Sequence, residues 1–144
     1  MSLADIIQRV NTTVLERAEL WRPEKFVQLF VDDEPYLRFG ERGIPTHRSS
    51  LFEFIEACME AGESIIPEKN YKEQSENSRK LGEVPFFPAE MGRYKVVGMG
   101  TAYVDKKDHA IRAEGQSQEY GLHPSKEHFD KIAPFLSSWS IEIK

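Results

Sequence analysis

The stretch YGLHPSKEHF, residues 120–129, gathers side chains that can move protons. Tyr120, His123 and His128 lie close together in the chain, and Glu114 precedes them. Each can donate or accept a proton beside a reacting atom. They form the candidate catalytic set for a small hydrolase or isomerase with a His/Glu/Tyr cleft. Against this stands the spacing. His123 and His128 are five apart, whereas neighbours on one helix face are three or four apart. Ser125, after Pro124, suits the N-cap of a helix over residues 126–136, which accounts for it without chemistry. It also lacks the GxSxG setting of an activated nucleophile. The plainer reading is a loop turning into a helix.

Other reactive constellations are weaker still. The chain has one cysteine, Cys58, on the apolar side of a helix where thiols are inert. HExxH and thiolate zinc spacings are missing, so no metal is expected. Asp32, Asp33 and Glu34 read as a solvated turn, followed by Glu41, and lack calcium-loop spacing. GMGTAY, residues 98–103, is neither a dinucleotide nor a phosphate loop, and no cofactor is expected.

A second set suits binding rather than catalysis. Gly98, Gly100 and Gly115 are costly in strands, and mark a bend, a bulge or something packed close to the sheet. Room beside them suggests an aromatic-lined groove. Tyr94, Tyr103 and Trp139 are its candidate walls, with Arg112, Gln116 and Gln118 as convergent polar groups. Phe86, Phe87 and Tyr120 can join the wall.

These residues need elements to place them. Apolar spacing from Leu3 to Ala18 predicts a helix over 3–20. WRPEKFVQLFV is ambiguous, because Pro23 suits a first helical turn while KFVQLFV is rich in strand formers. The reading adopted is a short helix and then a strand at YLRFG, ending near Gly40, Gly43 and Pro45. Ser49 or Ser50 begins a further helix, with Glu53 at capping-box distance from Ser50 and Gly62 as its stop. Residues 63–92 are the least regular, either a short helix over about 71–80 or a flap, with Val84, Phe86 and Phe87 docking it. RYKVVGMGTAYVDKKDHAIRAE is a hairpin turning at DKKD. Strict alternation puts Tyr94, Val96, Gly98, Gly100, Ala102 and Val104 on one face. WSIEIK closes as a strand.

The expected architecture is one α+β domain over residues 1–144. Helices pack on one face of a mainly antiparallel sheet, and the chain ends β-β-α-β.

Composition sets further bounds. The net charge is −5, and residues 46–92 carry nine acids against five bases. Arg93, Lys95, Lys106 and Lys107 are the only basic cluster to weigh, so nucleic acid is an unfavoured partner. No apolar run approaches the ~20 residues of a membrane span. A lone cysteine and the absence of a signal pattern suit a cytoplasmic protein. The leading expectation is a small non-enzymatic binding or regulatory protein. Its C-terminal sheet and aromatic groove would meet a small ligand or a protein partner. An exposed strand over 138–143 would invite homodimer pairing.

Overall fold

The computed structural model describes residues 2–41 and 45–144. Gly43, expected to help end the second region, lies outside the described residues. Strands β1 (Glu24–Val31) and β2 (Glu34–Phe39) form a hairpin. Helix α2 spans His47–Glu60 and α3 spans Glu68–Leu81. A two-residue strand β3 (Glu90–Met91) precedes the long β4 (Tyr94–Asp105) and β5 (Ala110–Glu114). Helix α4 (Lys126–Ile132) continues into a 3-10 turn at Ala133–Leu136, and β6 (Ser140–Ile143) ends the fold. The sheet runs β2-β1-β4-β5-β6, with β3 also on β4. Among the described strands β5 and β6 pair in parallel, and an isolated parallel bridge joins Val10 to Leu37. The α+β class, the mainly antiparallel sheet and the C-terminal β-β-α-β order are those expected.

The sheet carries helices on both sides, where one covered face was expected. On one side, Val27, Leu29, Val31, Tyr94 and Val96 pack with Leu51, Phe54, Ile55 and Cys58 of α2. On the other, Phe26, Leu37, Ala102 and Val104 pack with Phe129 and Ile132 of α4. Strand β1 is therefore buried on both faces, and such a strand reads as an almost unbroken apolar run. That is why the segment after Pro23, expected as a short helix, is instead a strand: a continuous apolar run has no period to separate the two.

The N-terminal segment is not one helix. It is a 3-10 turn at Leu3–Asp5 and a short helix α1 at Thr12–Arg17. Leu3 belongs to the α2-side core, while Val10, Val14, Leu15 and Ala18 belong to the α4-side core. A straight helix cannot serve both faces, so the chain breaks and wraps the outer edge of β2. There Leu37 N–H donates to Arg9 O at 2.8 Å. The Asn11 side chain bonds both backbone groups of Phe39, at 2.7 and 2.9 Å. An amide used this way imitates one residue of a neighbouring strand.

Strand β4 also departs from strict alternation. Gln28 pairs with Gly98 but Leu29 pairs with Val96, so Val97 is an extra residue. The bulge reverses the pleat. Tyr94 and Val96 face α2, whereas Gly98, Gly100, Ala102 and Val104 face α4. Helix α2 begins earlier than expected, with Thr46 and Ser49 exchanging the capping-box bonds. The segment 63–92 holds a fourteen-residue helix whose residues are all at least partly exposed. Of its plug, Phe87 is buried, but Phe86 and Val84 remain exposed. Arg93 then ties three turns together, reaching Asp32 at 3.0 Å, Glu63 at 2.7 Å and Ser64 O at 3.2 Å.

Two expected outcomes follow from this geometry. Asp32 and Asp33 both hold positive φ, 51° and 67°, in the β1–β2 turn. Asp33→Gly relieves that strain and should raise stability by about 0.5–1 kcal/mol in thermal melts. A lower melting temperature would mean that the Asp33 carboxylate holds the turn. Gly98→Ala should destabilise by roughly 2–3 kcal/mol, because a Cβ there would lie 2.1 Å from Gln28 Oε1 and 2.9 Å from Ser125 N. Unchanged denaturant midpoints would refute that close packing.

Candidate functional site

The space at the glycines is filled. Gln28 projects from β1 across Gly98 and is fully buried. Its Oε1 accepts from Ser125 N–H at 2.7 Å, and its Nε2 donates to Ser125 O at 2.9 Å. The same Nε2 lies 3.3 Å from His128 Nδ1. His128 Nε2 lies 3.1 Å from Leu29 O, a group that can only accept. The ring is therefore a neutral tautomer that donates from Nε2 and accepts at Nδ1. Ser125 Oγ accepts from His128 N–H at 3.2 Å, the expected N-cap. Pro124 sits over Gly100. Each polar atom of this cluster has a partner, as buried polar groups require. It clamps the start of α4 to the sheet.

The proton-transfer candidates are distributed around the molecule. His128 is fully buried, and burial pushes it down to about 4. His123 is exposed and offers its carbonyl to Met99 N–H. Tyr120 belongs to the α2-side core, across the sheet from His128, and stacks on Phe86 at 5.3 Å. Burial pushes its hydroxyl up to about 12. Glu114 forms an ion pair with Arg112 at 3.2 Å. The Cys58 thiol is buried and likewise pushed up to about 12. Among the described residues, no three His, Cys, Asp or Glu side chains are placed to hold a metal ion. No helix among them is long and apolar enough to cross a membrane.

The binding candidates divide similarly. Tyr103 and Arg112 are cross-strand partners, with the guanidinium 4.5 Å from the ring centroid. They lie on the α2 side, beyond the helix. Gln116 and Gln118 are exposed on the loop after β5. Tyr94 is buried, its hydroxyl donating to Pro88 O at 2.6 Å. Trp139 lies on the opposite face, stacked on His109 at 4.6 Å between centroids. The basic residues are also split. Arg93 and Lys95 open β4 while Lys106 and Lys107 follow its end, roughly 35–40 Å away.

An apolar assembly lies around Trp139. A groove of roughly 270 Å³ runs between α4 and β6, lined by Phe129, Ala133, Trp139, Ile141 and Ile143, with Lys126 and Asp130 at its rim. A second hollow of roughly 440 Å³ lies on the other flank of Trp139, toward Leu15 and His109. Beside the first groove, β6 is the last strand of the sheet. Ser140 N–H donates to His109 O and Lys144 N–H to Ala113 O, both at 2.9 Å. Strand alternation turns the backbone N–H and C=O of Ile141 and Ile143 to the outer side. Only Trp139 of this assembly was singled out from sequence as a binding residue. The WxIxI alternation that carries the rest belongs to the strand over 138–143, read from sequence as an exposed strand open to pairing but not as a groove wall. The chain matches no known family model and no curated protein.

The buried histidine sets a pH dependence. Its folded value of about 4 lies below the ordinary value of 6.5, so between them the unfolded chain binds more protons. The stabilisation is complete above about pH 6.5 and is lost as pH falls through about 4, by about 3 kcal/mol. Burial lowers His47 in the same direction. Urea denaturation at pH 7 and pH 4 should show this loss, and His128→Gln should flatten it. An equal slope in the variant would assign the effect to other groups.

Proposed function

We propose that this chain is a non-enzymatic binding protein whose contact surface is the free edge of β6 and the apolar groove beside it. One observation carries the reading. Ile141 and Ile143 point both backbone hydrogen-bonding groups away from the sheet, next to a groove lined by five apolar side chains. An extended segment laid along such an edge gains main-chain hydrogen bonds, and its alternate side chains fill the groove. This favours a protein or peptide partner over a small molecule. The scattered Tyr120, His123, His128 and Glu114 give the hydrolase or isomerase alternative no shared cavity to work in. A soluble, cytoplasmic setting accords with the reading, since strand addition needs no membrane and no disulfide.

The test is selection of extended peptides from a random decapeptide display library, followed by amide hydrogen exchange. Bound peptides should slow exchange at Ile141 and Ile143. Trp139→Ala should weaken them about tenfold, by removing an aromatic wall. Peptides that protect other amides, or that ignore Trp139→Ala, would overturn the assignment.

A further inference from the structure

We infer that the partner at β6 is a second copy of this chain, paired antiparallel about a two-fold axis at Ile141. This rests on the reading of β6 as a docking edge, and names its occupant.

The edge specifies what it will accept. The groove side wants an apolar residue at alternate positions, and the opposite side must not bring a carboxylate against Glu142. The chain's own Trp139, Ile141 and Ile143 supply the first requirement, and all three line the groove. Four two-fold registers centre on a residue of β6, and centring on Ser140 sets Ile143 against Ser137, which lies in the preceding turn and not in the strand. Centring on Glu142 sets that carboxylate opposite its own copy, and like charges directly opposed are destabilising. Centring on Ile143 overlaps β6 with its copy at that one residue, so Ile141 and Trp139 face no residue of the strand. Centring on Ile141 sets Trp139 against Ile143 of the second copy, Ile141 against Ile141, and Ser140 against Glu142. In that register the outward groups of Ile141 meet their equivalents, and Ile143 N–H reaches the Trp139 carbonyl of the other copy. Both α4 helices then lie on one face of a continuous sheet, and the two grooves share a border.

The opposite edge explains why pairing would close at two copies. Residues 9–11 already occupy the outer side of β2, through Arg9 O on Leu37 N–H and Asn11 on Phe39. With β2 occupied at one end of the described sheet and β6 used at the other, a two-fold pair leaves neither end to propagate.

Oxidative cross-linking of the full chain reads the register. Cys58 is fully buried and stays silent, so a single introduced thiol reports alone. A hydrogen-bonded antiparallel pair sets Cα atoms about 5.5 Å apart, within disulfide range. Ile141→Cys should therefore form covalent dimer about tenfold faster than Glu142→Cys or Ile143→Cys. Light scattering should give the mass of two chains at about 100 μM, falling with dilution. Ile141→Pro removes an outward N–H that no neighbour within the sheet uses, together with the Ile141 side chain from the groove wall, so it should yield a monomer with an unchanged circular dichroism spectrum. Fastest cross-linking at Glu142→Cys or Ile143→Cys would overturn the register. A wild-type monomer with no cross-link at Ile141→Cys would overturn the second copy. If such a monomer still bound the selected peptides through Ile141 and Ile143, the docking edge would stand without the dimer. If it bound none, both would fall.

Discussion

The Gln28 amide lies buried between the sheet and the start of α4, and the C-terminal half of the fold depends on its being satisfied. A buried amide without partners costs several times what one good hydrogen bond returns. Gln28 meets that demand with the backbone of Ser125 and the ring of His128. The contact is possible only because Gly98 has no Cβ. The same short approach places Phe129 against Phe26, with ring centroids 5.5 Å apart. Once α4 is fixed there, the turn at 133–136 returns the chain parallel to β5. The groove between α4 and β6 is what remains. The edge position of β6 is thus a consequence of a clamp three strands away.

The two ends of the sheet are treated differently, and this difference gives the molecule its direction. The edge at β2 is closed by backbone, by Asn11 imitating a strand, and by Arg9 lying between the rings of Tyr36 and Phe135. An unprotected edge is a liability that proteins usually cover, shorten or charge. At β6 the strand is short and bears Glu142, with Lys144 just after it, but none of the described segments pairs with its outer side. Charge at such an edge does not forbid pairing. It selects the registers that avoid setting like against like.

Residues with reactive chemistry and residues that line the groove at β6 are different sets here. His128 has the most familiar catalytic side chain and serves as a neutral strut. Its sequence signal, a histidine beside a glutamate after an N-cap serine, is the same for a strut and for a base. Only burial separates them, and burial is a property of neighbours a hundred residues away. Gln28 gives no signal at all, being one polar residue in an apolar run. Ile141 and Ile143 give the opposite problem. Their alternation is readable, but alternation does not say whether the strand lies inside a sheet or at its rim.

The sequence by itself determined what short-range chemistry decides. Ser125 caps α4, Gly62 stops α2, DKKD turns the β4–β5 hairpin, and the order β-β-α-β follows from pattern and turn residues. Each depends on groups within a few residues of one another. Tertiary structure alone decided which face each residue serves. The break at Val10–Asn11 arises because one segment feeds cores on both sides of the sheet. The bulge at Val97 reverses an alternation that the sequence shows as unbroken. The strand identity of residues 24–31 depends on having partners on both edges and cover on both faces. A chain can write its own turns and caps locally. The identity of its neighbours is settled only when distant segments compete for the same buried surface.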